Sequence, residues 1–115
     1  MSNFDKYNLL LMSKGIRLSA LGIREFALKR SDALEGLMLL RQARVPVLGG
    51  DVYLCRDLRI EPAYANWHTE QALGEDWHGY LRRSWDATEA YLESFHAIGN
   101  AEAIFVLVPA GHVLH

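Results

Sequence analysis

The run at residues 45–55, Val-Pro-Val-Leu-Gly-Gly-Asp-Val-Tyr-Leu-Cys, constrains this chain more than any other stretch. It is too short for an ordinary helix, Pro46 excludes a helix interior, and Val, Tyr and Leu suit a pleated, largely buried surface. It therefore predicts the middle of a sheet. Gly49 and Gly50 are expected to divide it into two strand pieces, either at a bulge or where another group closely approaches the backbone. Asp51 follows directly. A carboxylate in such a run must be paired, bonded to backbone amides or turned to solvent, because burying it alone is very costly. A turn-stabilising role and a binding role are both open to it.

A chain of 115 residues, half of them apolar and 23% charged, can bury a core without disulfides or metal. No repeat, linker or low-complexity segment interrupts it, so a single domain over residues 1–115 is expected. The formal charge of −2 offers no basic footprint for nucleic acid. Cys55 is the one cysteine. It can form no internal disulfide, and in an apolar strand it reads as a small buried hydrophobe in a reducing compartment. The first residues place Asp5 before their apolar patch and lack a small-residue cleavage site, which makes a poor signal peptide. No run approaches the roughly 20 apolar residues of a membrane span, so a cytoplasmic protein is expected.

Along the chain, Phe4, Tyr7, Leu10 and Leu11 followed by Gly15 predict a helix over residues 3–14. Residues 18–22 read as a turn and residues 23–29 as an imperfectly alternating strand. Asp32 and Glu35 match a capping box, so a second helix is predicted over residues 32–43, with Ala33, Leu34, Leu37, Met38 and Leu40 as its apolar face. Gly36 weakens that helix and suggests close packing on the sheet. Arg56-Asp57 should form a hairpin tip, residues 58–61 a returning strand, and Pro62 its end. Residues 63–74 lose periodicity but hold Tyr64, Asn66, Trp67 and His68, rings that roof a core or await a partner.

The most strongly periodic stretch is residues 75–97, where Trp77, Leu81, Trp85, Thr88, Leu92 and Phe95 recur at helical spacing. Its polar face carries Arg82 and Asp86, which can pair, and Glu89 and Glu93, which repel each other and oppose the helix dipole. That acidic face is either simply solvated or a match for a basic partner. Gly99 and Asn100 should end the helix, and the apolar run at residues 103–108 reads as a buried strand. His112 to His115 read as a frayed strand end. The fold class is thus α+β: a small, mostly antiparallel sheet of four or five strands packed by two or three helices.

No catalytic motif of adequate specificity emerges. His68, His78, His96, His112 and His115 show neither zinc-type spacing nor helical pairing with Glu. His112 with His115, or His68 with Glu70, supplies two ligands at most, so no metal or other cofactor is expected. Ser31 and Ser84 lack a nucleophile turn, and Gly49-Gly50 lacks the helix and Lys of a phosphate loop. The alternative to a binding protein is a small hydrolase or metal-dependent enzyme using Asp51 with a nearby histidine.

The order Leu21-Gly22-Ile23-Arg24, Ala27-Leu28-Lys29, Val45-Pro46-Val47-Leu48-Gly49-Gly50-Asp51-Val52-Tyr53, Tyr64-Ala65-Asn66-Trp67, a long helix and Phe105-Val106-Leu107-Val108 resembles the family called Immunity protein 40. Its sharpest part is Gly-Gly-Asp-Val-Tyr. Relatives tend to read Tyr-Asp-Asn-Trp where this chain has Ala65, which puts in doubt a carboxylate role at that position. The resemblance implies a small cytoplasmic protein of a bacterial polymorphic toxin system that binds a cognate toxin domain, such as a nuclease, and blocks it without catalysis. It implies no direct contact with nucleic acid or membrane. Three tryptophans and an acidic helix face agree with such a role. The expected contact surface is Asp51, Tyr53, Tyr64, Asn66 and Trp67, with Asp86, Glu89 and Glu93 as a second.

Overall fold

A computed structural model describes residues 2–111. Helix α1 spans Asn3–Lys14, α2 Arg30–Gln42 and α3 Trp77–Ser94; strands β1 to β5 span Ile16–Arg17, Phe26–Lys29, Val47–Arg56, Arg59–His68 and Glu102–Pro109. The five strands form one antiparallel sheet in the order β1-β2-β5-β3-β4. This is the expected α+β architecture, with β3 and the apolar β5 at its centre.

Side chains of successive strand residues point to opposite faces, and the burial follows that rule. Leu28, Val52, Trp67, Ala103, Phe105 and Leu107 face the helices, where Tyr7 and Leu10 of α1, Ala33, Leu37 and Leu40 of α2, and Leu81, Trp85 and Leu92 of α3 complete the main core. Ala27, Ile104 and Val106 face the other way. They are covered by Leu18 and Ile23, which flank a single 3₁₀ turn at Ser19–Leu21, with Ile16, Tyr53 and Ile60 alongside. The turn expected at residues 18–22 is therefore a strap that gives the outer face a small core of its own.

Several boundaries differ from those the sequence suggests. The capping box stands at α1, where Ser2 Oγ accepts from Asp5 N and Asp5 Oδ2 accepts from Ser2 N. At α2 the helix begins two residues earlier than Asp32, directly out of β2, and Lys29 makes no side-chain cap. Met38, expected on the buried face, is 54% exposed, while Leu37 and Leu40 are buried. Gly36 does meet a close neighbour, but on α1: a Cβ there would lie 3.1 Å from Tyr7 Cε1.

The anchoring run is one strand, not two. β3 is continuous from Val47 to Arg56, with a register shift between Val47 and Gly49. Asp51 lies in mid-strand rather than in a turn. The hairpin tip is Asp57-Leu58, one residue later than expected, both with left-handed φ (51° and 66°) as a two-residue type I′ loop requires. β4 then runs through Pro62 to His68, so the aromatic stretch, which the sequence leaves as a loop or an edge segment, is an edge strand as far as His68. Pro62 is tolerated because β4 is an edge strand, where a missing ladder donor leaves no partner unsatisfied. α3 ends at Ser94, well before Gly99, when Phe95 turns extended. Cys55 is free and half-buried rather than in the core. The tail from His112 to His115 lies outside the described residues.

Candidate partner-binding surfaces

Trp67 is seated by glycine. It stands opposite Gly50 across the β3–β4 ladder, and a Cβ on Gly50 would fall 2.3 Å from Trp67 Cη2. Only a residue without a side chain lets the indole cross the strand there. The ring is held from above by α3: Nε1 donates to Thr88 Oγ1 at 3.0 Å, and Tyr91 stacks on it with centroids 4.6 Å apart. Trp67 is 7% exposed. Of the two alternatives expected at the glycine pair, the close approach occurs at Gly50 and serves the core, while the register shift falls just before the pair, between Val47 and Gly49.

The rest of the first expected surface lies on the opposite face of the sheet. Asp51 pairs across the ladders with Asn66 and Val106, and Tyr53 with Ile104, so these side chains share the outer face. Asp51 and Tyr53 are half-buried and Asn66 is exposed. Burial raises the Tyr53 phenol above its ordinary pKa, and the nearby carboxylates of Asp51 and Glu25 add to the shift. Tyr64 sits at the sheet edge in an irregularity: Val52 pairs with Ala65 and Tyr53 with Pro62, leaving Ala63 and Tyr64 unpaired. Its φ is 57° and the side chain is 92% exposed. Ala65 points inward, against the main core.

The second surface lies on the helical side. Asp86 does not pair with Arg82 along its own helix. Instead Arg41 of α2 places NH2 3.5 Å from Asp86 Oδ1 and 3.6 Å from Glu89 Oε1, with its guanidinium 5.4 Å from the Trp85 ring centroid. A cation from the neighbouring helix thus offsets the repulsion expected between Glu89 and Glu93. Between α2 and α3 runs an open groove of about 830 Å³, lined by Leu34, Leu37, Met38 and Leu39 and edged by Glu35, Glu89 and Glu93. Sequence reading missed Glu35 and Met38 as members of this surface. The available signal was that Met38 falls one turn after Leu34 and away from the Ala33-Leu37-Leu40 row.

The link from β4 to α3 is tied at several points. Thr69 donates to the Val47 carbonyl, and Tyr80 Oη donates to the Thr69 carbonyl at 2.6 Å. Asp76 caps α3 by accepting from Gly79 N at 2.8 Å. Arg83 bonds both Glu75 oxygens, at 2.8 and 2.9 Å, and the Glu70 carbonyl. Those bonds, with one from Ala72 N, hold the Glu75 carboxyl down at about 2.

Asp51 lines neither the α2–α3 groove nor the cavities beside Tyr7 and beside Leu18, and no histidine is hydrogen-bonded to it among the described residues. Among those residues there is also no group of three or more His, Cys, Asp and Glu side chains placed to hold a metal ion, and no helix long and apolar enough to cross a membrane. Searches of curated proteins and of solved structures found no match. The family model for Immunity protein 40 matches residues 17–109, from β1 through β5. This chain belongs to the Immunity protein 40 family.

Proposed function

We propose that this protein neutralises a cognate bacterial toxin by binding it one-to-one, acting as a single immunity-like domain in the cytoplasm without catalysis of its own. The observation that carries the reading is the family match across residues 17–109, nearly the whole described fold. The surface chemistry supports it. One side of the molecule offers Asp51, Tyr53, Asn66 and the projecting Tyr64; the other offers Asp86, Glu89, Glu93 and the groove beside them. The second is acidic and suits a basic partner such as a nuclease, whereas the first carries one carboxylate, Asp51, among aromatic and amide side chains. The two surfaces lie on opposite sides of the sheet, so one flat contact engages one of them. Trp67 supports the first side from beneath as part of the core.

The test is co-expression with the toxin domain encoded beside this gene. The protein should restore growth and elute with the toxin as a one-to-one complex; neither rescue nor co-elution would refute neutralisation. Tyr64→Ala with Asp51→Asn, set against Glu89→Lys with Glu93→Lys, then identifies the side in use. The engaged side's variant should lose rescue with an unchanged melting midpoint. The charge-reversed pair should also associate more slowly and with a weaker salt dependence.

A further inference from the structure

We infer that the α2–α3 groove is a docking site for an amphipathic helix of the protein partner, one carrying a row of apolar side chains flanked by Lys or Arg. The inference rests on the neutralisation reading and gives that partner a binding element. The floor is apolar: Leu34, Leu37 and Leu39 line it, and Met38 stands 54% exposed in it. Methionine is unbranched and soft, a side chain that adapts to incoming apolar groups. The rim is acidic. Glu35 rises from α2, and Glu89 and Glu93 from α3.

Arg41 is the one cation lining the groove among the described residues, and it is committed to Asp86, Glu89 and the Trp85 ring. Neither Glu35 nor Glu93 has an ion-pair partner among the described residues. The unmet charge around the apolar floor is therefore negative on both helices, and a basic rim on the occupant complements it.

Backbone chemistry makes the occupant a helix. Both walls are helices, whose interior N–H and C=O groups are already bonded along their own axes. An extended segment laid between them would find no strand edge to satisfy its own amides, whereas a helix arrives with them satisfied and packs its ridges into the groove. α2 has 13 residues, so it presents a wall about 20 Å long, enough for three to four turns of a partner.

The probe is a synthetic Leu/Lys amphipathic helix of about 14 residues, roughly 20 Å long. Its controls are the same composition scrambled, a Leu/Glu counterpart, and a version broken by a central proline. Amide shifts of the full chain should move saturably in residues 34–41 and 86–93. Affinity should fall at least about tenfold with Met38→Asp, and by a similar factor with Glu35→Lys plus Glu93→Lys. It should weaken as salt rises from about 0.05 to about 0.5 M. Circular dichroism melts of the variants confirm that the fold is intact.

Equal binding of the scrambled or proline peptide overturns the helix; binding of the Leu/Glu peptide overturns the charge match. Shifts confined to the outer sheet face, or self-association of the protein that Met38→Asp abolishes, overturn the site assignment. In the toxin assay, rescue by the wild type and equally by the groove variants overturns the groove while neutralisation stands. No rescue by the wild type removes the neutralisation reading, and the inferred occupant with it.

Discussion

Trp67 and Tyr64 stand three residues apart in the same strand, and one is 7% exposed while the other is 92% exposed. On the linear chain they form one aromatic patch. In the fold, the pleat turns Trp67 inward over Gly50 and under α3, whereas the irregularity at Ala63 and Tyr64 pushes Tyr64 off the sheet edge with a left-handed backbone. What an aromatic residue does is decided by the residue across from it. Trp67 meets a glycine that leaves room for the ring and a threonine that takes its N–H; Tyr64 meets nothing on the neighbouring strand. The two most distinctive stretches, Gly-Gly-Asp-Val-Tyr and Tyr-Ala-Asn-Trp, are therefore largely two halves of one packing contact.

The contrast can be broken experimentally, and removing the indole should have the largest effect. Trp67→Ala should destabilise the protein by about 3–5 kcal/mol in a urea melt, since it empties a large buried site and leaves Thr88 without its donor. An unchanged midpoint together with lost toxin rescue would move Trp67 to the surface. Next comes its seat. Gly50→Ala should cost about 1–3 kcal/mol, because the new methyl meets both the indole and the Val106 carbonyl oxygen, each at 2.3 Å, and the latter cannot swing away. A neutral result would mean that the indole is not lying across the strand.

Tyr64→Gly should stay within about 0.5 kcal/mol of the wild type, because the side chain is exposed and glycine adopts its left-handed φ without strain. Any loss there should appear in toxin association instead; a stability loss of the Trp67→Ala size would erase the contrast. The smallest effect concerns the link that carries β4 over to α3. The Arg83 bonds lower the Glu75 carboxyl from the ordinary 4.5 to about 2. A depressed folded-state pKa adds stability that is fully present above the unfolded value and is lost as pH falls through the folded one. The Ala72 amide should therefore lose exchange protection between about pH 4.5 and 2 while the Trp67 indole N–H stays protected; simultaneous loss of both would show that the link and the core open as one.

Much of the architecture is legible in the sequence because it rests on local periodicity. α1, α3 and β5 announce themselves by apolar spacing, and the sheet centre by the run at residues 45–55. What is not legible depends on neighbours far along the chain. Pro62 looks like a strand end until β4 is known to be an edge. Asp86 looks like a partner for Arg82 one turn away, yet Arg41, 45 residues distant, takes it. The candidate site divides in the same way. Asp51, Tyr53 and Asn66 are brought to one face by simple alternation, as their spacing suggests. Trp67 leaves them because the pleat turns the residue after Asn66 to the opposite face, where Gly50 leaves room for the ring. The groove was only half visible, since Glu35 and Met38 join Glu89 and Glu93 through the packing of α2 on α3.

Pro62 and the left-handed Tyr64 interrupt the outer margin of β4 near its midpoint. A foreign strand drawn alongside would lose an amide donor at the first and meet a reversed backbone two residues later, so no uninterrupted zipper of main-chain bonds can form there. Any protein that grips this margin must do so by reading side chains rather than the amide ladder, which every protein shares. An irregularity that protects the sheet from indiscriminate stacking thereby also makes selectivity at this edge a matter of residue identity.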